Sequence, residues 1–147
     1  MPRVKINQPA SFFYKTSIEI GVGHLNYGNH LSNEHILSFA HEARLRFFTE
    51  LGATEFDFWG TGLIQSDAEI VYKSEGHYQD IIDVYIDIAE LSRVGFRVNY
   101  LMSNRTTGKD LAIAAVGIVC FNYAQKKVQD LPIPFKEYLD SIEKIIL

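Results

Sequence analysis

The chain has 147 residues, 47% of them hydrophobic and 22% charged, a composition that excludes a disordered chain and fits one globular domain over 1–147 with a core at about 11–138. Its formal net charge of -4, with no long run of Lys or Arg, excludes a general nucleic-acid surface. The sequence shows no charged-then-apolar leader and no apolar run near the ~18 residues a membrane span needs, so a cytoplasmic protein without a membrane span is expected.

In chain order, Met1 to Ala10 carries Pro2 and Pro9 without a period and reads as a lead-in. Ser11 to Val22 is rich in Phe, Tyr, Thr and Ile, with Ile18 and Ile20 alternating against Ser17 and Glu19, which predicts a first strand. His24-Leu25-Asn26-Tyr27-Gly28-Asn29-His30-Leu31-Ser32-Asn33 follows as a polar loop. It runs directly into Glu34 to Leu51, where Ile36, Ala40, Ala43, Phe47 and Leu51 recur at helical spacing. Ser32 and Asn33 suit the N-cap, Glu34 suits the positive end of the helix dipole, and Gly52 suits the C-terminal stop. A helix start of this kind presents unpaired N–H groups to a loop rich in His and Asn, a place that can hold a carbonyl oxygen or an anion.

Gly52 to Gly62 is an aromatic-bearing connection, and four strands are predicted after it: Leu63–Tyr72, Asp80–Ser92, Val94–Asn104 and Leu111–Tyr123. In the second, Ile82, Val84, Ile86 and Ile88 alternate with Asp83, Tyr85, Asp87 and Ala89, the pattern of a sheet with one buried face. Cys120 lies in an apolar run and reads as a buried, inert thiol. Pro132-Ile133-Pro134 stops the sheet, and Phe135 to Leu147 reads as a short terminal helix. One strand, one long helix and four consecutive strands make an α+β domain whose curved antiparallel sheet wraps around the helix.

His30-Leu31-Ser32-Asn33, Glu42-Ala43-Arg44 on the helix, and Tyr72-Lys73-Ser74-Glu75 before Gln79-Asp80 stand in the order and spacing of a known pattern. The likeness covers about Phe12 to Tyr138. The sequence resembles the hotdog-fold acyl-CoA thioesterases of the 4-hydroxybenzoyl-CoA thioesterase type, with the plant acyl-carrier-protein thioesterases as relatives. That family writes a strand, then Asp-x-x-Gly-His-Val-Asn-Asn, then an aromatic-rich helix. The resemblance implies a hotdog fold, hydrolysis of an acyl-CoA or acyl-carrier-protein thioester at a dimer-interface site, no cofactor, and assembly as a homodimer or homotetramer.

One position departs from the pattern. Four residues before His30 many members carry an Asp that serves as nucleophile or general base, and here that position is Asn26, a neutral amide. The remaining candidates are His30 as base, with its ordinary pKa near ~6.5, then Glu75, then Asp67, with Asn26 positioning water or thioester. Backbone N–H groups at Asn33 to His35 are candidates for an oxyanion hole. Asn29, Glu34 and His35 are the expected binding residues of the loop and helix start, Arg93 a phosphate contact at a strand end, and Phe58 and Trp59 a lining for the acyl end. Each has a plainer alternative, as a loop brace, a solvated charge or a core aromatic. No metal site is expected, because His24, His35 and His41 lack acidic or Cys partners at ligand spacing. The rival function is a non-catalytic acyl-binding module, in which Asn26 marks lost chemistry and a retained pocket.

Overall fold

The computed structural model describes residues 3–147; Met1 and Pro2, part of the expected lead-in, lie outside the described residues. The Phe- and Tyr-rich opening forms β1 (Ser11–Phe12) and β2 (Tyr14–Glu19), followed by a 3-10 turn at Val22–His24 and by α1 (Glu34–Glu50). Next come β3 (Gly62–Tyr72), β4 (Ile81–Ala89), β5 (Gly95–Asn104), β6 (Lys109–Asn122) and β7 (Lys127–Val128), then α2 (Ile133–Ser141) and β8 (Ile145–Ile146).

The main sheet is antiparallel and runs β2-β4-β5-β6-β3, with β7 added to β6. α1 connects two strands at opposite edges of this sheet and packs on its inner face. Ile36, Phe39, Ala40, Ala43, Phe47 and Phe48 of α1 share one core with Ile82, Val84 and Ile86 of β4, Val98 and Tyr100 of β5, and Ala114 and Val116 of β6. This is the curved sheet around a long helix that the resemblance implies. The helix closes as its sequence dictates: Gly52 takes φ +75, and the Ala53 N–H reaches back to the Phe48 carbonyl at 2.9 Å.

Two expectations change. The first strand is not continuous to Val22, because β1 leaves the main sheet to pair with β8, and the chain turns into the 3-10 segment after Gly21. Phe135 to Leu147 is not one helix: α2 ends at Ser141, and Ile145 and Ile146 extend opposite Phe12 and Ser11. Two β-branched residues suit that extended pairing, which joins opposite ends of the chain.

The outer face of β4 carries its own structure. Tyr85 joins Phe12, Leu101, Ile113 and Ile6 in a second apolar cluster. Asp83 accepts from Ser17 Oγ at 2.6 Å and from Arg105 Nε at 3.1 Å. Burial pushes the Asp83 carboxyl up, but the bonds from Arg105 and Ser17 outweigh it and hold the group below the usual carboxylate range. Asp87 meets Lys144 Nζ at 2.5 Å, which ties the C-terminal segment to the sheet.

Candidate active site

The polar loop is folded by its own asparagine. Asn26 Oδ1 accepts from the Gly28 N–H at 2.9 Å and lies 3.5 Å from the His30 N–H, while the Asn26 N–H donates to the His30 carbonyl at 3.0 Å. Asn29 stands at φ +62, where the resemblance carries Gly; Asn is among the side chains that best tolerate this left-handed backbone. Gly28 makes room for the histidine, because a Cβ there would sit 2.9 Å from His30 Nε2.

His30 is thereby fixed. Its Nδ1 lies 3.3 Å from the Leu31 carbonyl oxygen, which can only accept, so Nδ1 carries the proton and Nε2 presents a lone pair. Nε2 faces Glu75 Oε1 at 4.0 Å, and His77 Nε2 lies 3.8 Å from the other oxygen of the same carboxylate. Glu75 is brought there by the segment after β3: the Leu31 N–H donates to the Gly76 carbonyl at 2.7 Å. Gly76 packs so tightly that a Cβ would come 2.6 Å from Ile20 Cδ1. His30, Asn33, Tyr72 and Glu75 border one cavity of about 330 Å³, lined also by Ile36 and Leu111.

The start of α1 opens onto the same cavity. Asn33 is the N-terminal boundary residue, but its backbone is helical (φ -57, ψ -37) and its side chain makes no capping bond. Of the three expected oxyanion donors, the His35 N–H is spent on the Ser32 carbonyl at 3.1 Å. The Asn33 and Glu34 N–H groups donate to no other backbone acceptor among the described residues. The Ser32 hydroxyl, which bonds Glu34 Oε2, and the backbone N–H of Glu34 hold the Glu34 carboxyl below its ordinary value. Asn33 therefore offers the free donor. Tyr72 Oη, 3.4 Å from the Asn33 carbonyl, links the helix start to the end of β3.

Other expected site residues lie elsewhere in the chain. Asp67 accepts from Arg97 at 2.9 Å and from the Gly117 N–H at 2.8 Å, at the bulge between Gln65 and Asp67. Arg93 pairs with Asp130. Phe58 is fully buried against Phe48, Phe96 and Phe135, and Trp59 packs edge-on against it. His35 packs near His24, with ring centroids 5.1 Å apart, and its buried Nδ1 has no hydrogen-bond partner. Burial pushes the Cys120 thiol up to about 11, leaving no reactive thiolate at neutral pH.

A buried ion pair escaped the reading of the sequence. Arg44 of α1 donates Nε to Glu55 Oε1 at 3.0 Å and Nη1 to Tyr100 Oη at 2.9 Å, and it borders a second cavity. The signals in the sequence were the place of Arg44 in the Glu42-Ala43-Arg44 pattern and an arginine within an otherwise apolar helix stripe. No group of three or more His, Cys, Asp or Glu suited to a metal ion occurs among the described residues, and no helix there is long and apolar enough to cross a membrane.

No curated protein matches the sequence. Solved structures share its fold. The 1,4-dihydroxy-2-naphthoyl-CoA thioesterase of Synechocystis superposes with a TM-score of 0.79 at 18% identity, over 90% of this chain and 97% of that one. A gentisyl-coenzyme A thioesterase gives 0.74 at 18% identity over 84% and 99%. A Staphylococcus aureus protein solved in complex with CoA gives 0.79 at 14% identity over 92% and 86%. Residues 20–139 match the family model of the thioesterase-like superfamily, so the chain belongs to that family.

Proposed function

We propose that the protein is an acyl-CoA or acyl-carrier-protein thioesterase working from the His30 cavity. The observation that carries this reading is the gap of 4.0 Å between His30 Nε2 and Glu75 Oε1. It is too wide for a direct hydrogen bond and suits a bridging water. In the reaction His30 Nε2 takes a proton from that water while its oxygen attacks the thioester carbonyl. The carbonyl oxygen, turning anionic, is met by the Asn33 N–H at the positive end of α1. The tetrahedral intermediate then collapses with cleavage of the C–S bond, and the imidazolium returns its proton to the departing thiolate. Glu75 supports the imidazolium between these steps. Asn26 positions the loop that holds His30.

The site is completed by a second copy. Among the described residues β3 pairs with β6 alone, and Gln65 to Ala68 are exposed along its free edge. Two β3 edges joined antiparallel across a two-fold axis set Leu63–Gln65 of one copy beside the last residues of the partner's strand, at the border of the partner's His30 cavity. A homodimer follows, with a homotetramer as its further pairing.

The test is thiol release from short, long and aromatic acyl-CoAs, with direct binding measured beside it. His30→Ala is expected to lower kcat by ~10²- to 10⁴-fold while leaving binding and melting temperature near wild type. Unchanged kcat removes His30 as the base. Binding of thioesters without release from any of them overturns hydrolysis in favour of an acyl-binding module. The observation favouring that second reading is that the Asn26 carboxamide oxygen is turned into its own loop.

A further inference from the structure

Three side-chain hydroxyl groups border the His30 cavity, those of Ser32, Tyr72 and Ser74. Two of them are spent: Ser32 Oγ donates to Glu34 Oε2, and Ser74 Oγ donates to the Asp110 carbonyl at 2.7 Å. The third, Tyr72 Oη, donates to the Asn33 carbonyl across 3.4 Å, near the outer limit of a hydrogen bond, from a residue that is 50% exposed. A bond so long and so open to water is given up at little cost when a better acceptor arrives. The Asn33 carbonyl is not orphaned by the exchange, because it also accepts from the Ile36 N–H at 3.3 Å.

The backbone that carries this loosely held hydroxyl is itself well anchored. Tyr72 ends β3 opposite Ala112 of β6, and the next residue continues the pairing, with the Lys73 N–H donating to the Leu111 carbonyl at 2.9 Å. Its hydroxyl therefore stands beside Asn33, the residue whose N–H meets the thioester oxygen in the mechanism above. An oxygen turning anionic accepts more than one hydrogen bond, and a single N–H leaves part of its charge unmet. Resting on that thioesterase reading, we propose that Tyr72 is a further catalytic residue. Its hydroxyl leaves the Asn33 carbonyl and donates to the thioester oxygen as charge builds there, so that Tyr72 Oη and the Asn33 N–H together form the oxyanion hole. The phenol keeps its proton throughout, and the step adds a hydrogen bond without a proton transfer.

The experiment uses acetyl-, octanoyl- and phenylacetyl-CoA with two unreactive analogues of each. One is a ketone with a methylene in place of the sulfur, and the other a thioether with a methylene in place of the carbonyl. Tyr72→Phe keeps the ring and removes only the hydroxyl. It is expected to lower kcat by about 10²-fold on each thioester that the wild type hydrolyses. Thioether affinity should stay within about twofold, and melting temperature should not move. The margin by which the wild type binds a ketone over its thioether should shrink by about threefold to tenfold. The infrared carbonyl stretch of the bound ketone, lowered in the wild type by its donors, should move back toward its free value. Lys73→Met, which removes an ammonium that also borders the cavity, serves as the control and should change none of these readings. A ketone margin and a carbonyl shift lost in Tyr72→Phe, with no thiol release by the wild type, keep the hydroxyl as donor to the carbonyl and remove the hydrolase reading. Thiol release with kcat unchanged in Tyr72→Phe overturns the inference and leaves hydrolysis. A fall in kcat matched by lost thioether affinity or a lower melting temperature makes the hydroxyl a brace of the helix start and also overturns it. So does a loss that follows Lys73→Met instead. A wild type that releases no thiol and binds ketone no better than thioether removes the reading and the inference together.

Discussion

Asn26 holds the loop that carries His30, and on the proposed reading it keeps the architecture of the site with an amide in place of an acid. Its amide oxygen meets the N–H groups of Gly28 and His30, and a carboxylate of the same shape would meet both with a stronger bond. Asn26→Asp therefore leaves the loop folded and adds an acid beside His30. The expected result is a rise of at least about tenfold in kcat/KM on the best thioester, with melting temperature unchanged or slightly higher. No gain means that His30 and Glu75 already form the whole acid–base set. The tightness of the loop also explains why a neutral residue is tolerated at position 26. Gly28, lacking a Cβ, and Asn29, at φ +62, fix the imidazole whatever the charge of the residue that binds their backbone.

Between the 3-10 turn and α1 the fold stores a dependence on pH. His24 Nδ1 accepts from the Gly21 N–H at 2.8 Å, and its ring packs edge-on to Phe39 with centroids 4.9 Å apart. Burial, and secondarily the neighbouring His35, lowers its pKa from the ordinary 6.5. A histidine whose pKa is lowered on folding binds a proton more readily when unfolded. Its contribution is complete above pH ~6.5 and is lost as pH falls toward the folded-state value. Melting temperature should then fall more steeply below pH ~6.5 in the wild type than in His24→Gln. Parallel curves would assign the acid sensitivity to another group. How much of the structure could be read from the sequence also divides at this scale. The period of Ile36, Ala40, Ala43 and Phe47 gave α1 to within one residue of its C-terminal end, and the alternation in β4 gave its inner and outer faces, because both signals are local. β8 escaped because Ile145 and Ile146 become a strand only opposite β1, more than a hundred residues away. That His30 and Glu75 face each other came only from the fold; their candidacy came from the family pattern. The binding of Asp67 by Arg97 was not legible either, since it depends on a sheet register and a bulge that periodicity cannot reveal.

Among the described residues β3 pairs with β6 alone: its free edge is taken at Leu63 by the Glu55 carbonyl, at 2.8 Å, and the Tyr123 hydroxyl, at 2.9 Å, but is exposed from Gln65 to Ala68. β3 runs for eleven residues, and an exposed stretch of edge invites pairing with another chain unless charge or a bulge prevents it. Here the bulge lies between Gln65 and Asp67, and Arg97 engages both Asp67 and Glu69, at 2.9 and 2.6 Å, which softens the repulsion two such edges would meet. Ala68→Lys, on an exposed residue near the middle of the edge, puts a positive charge close to its own copy at the two-fold axis. Sedimentation at micromolar concentration should show a dimer for the wild type and a monomer for Ala68→Lys, with the same circular dichroism. Thiol release should fall at least about tenfold with the loss of the dimer. A wild type that sediments as a monomer while hydrolysing thioesters would place the whole site within one chain and remove the second copy from the mechanism.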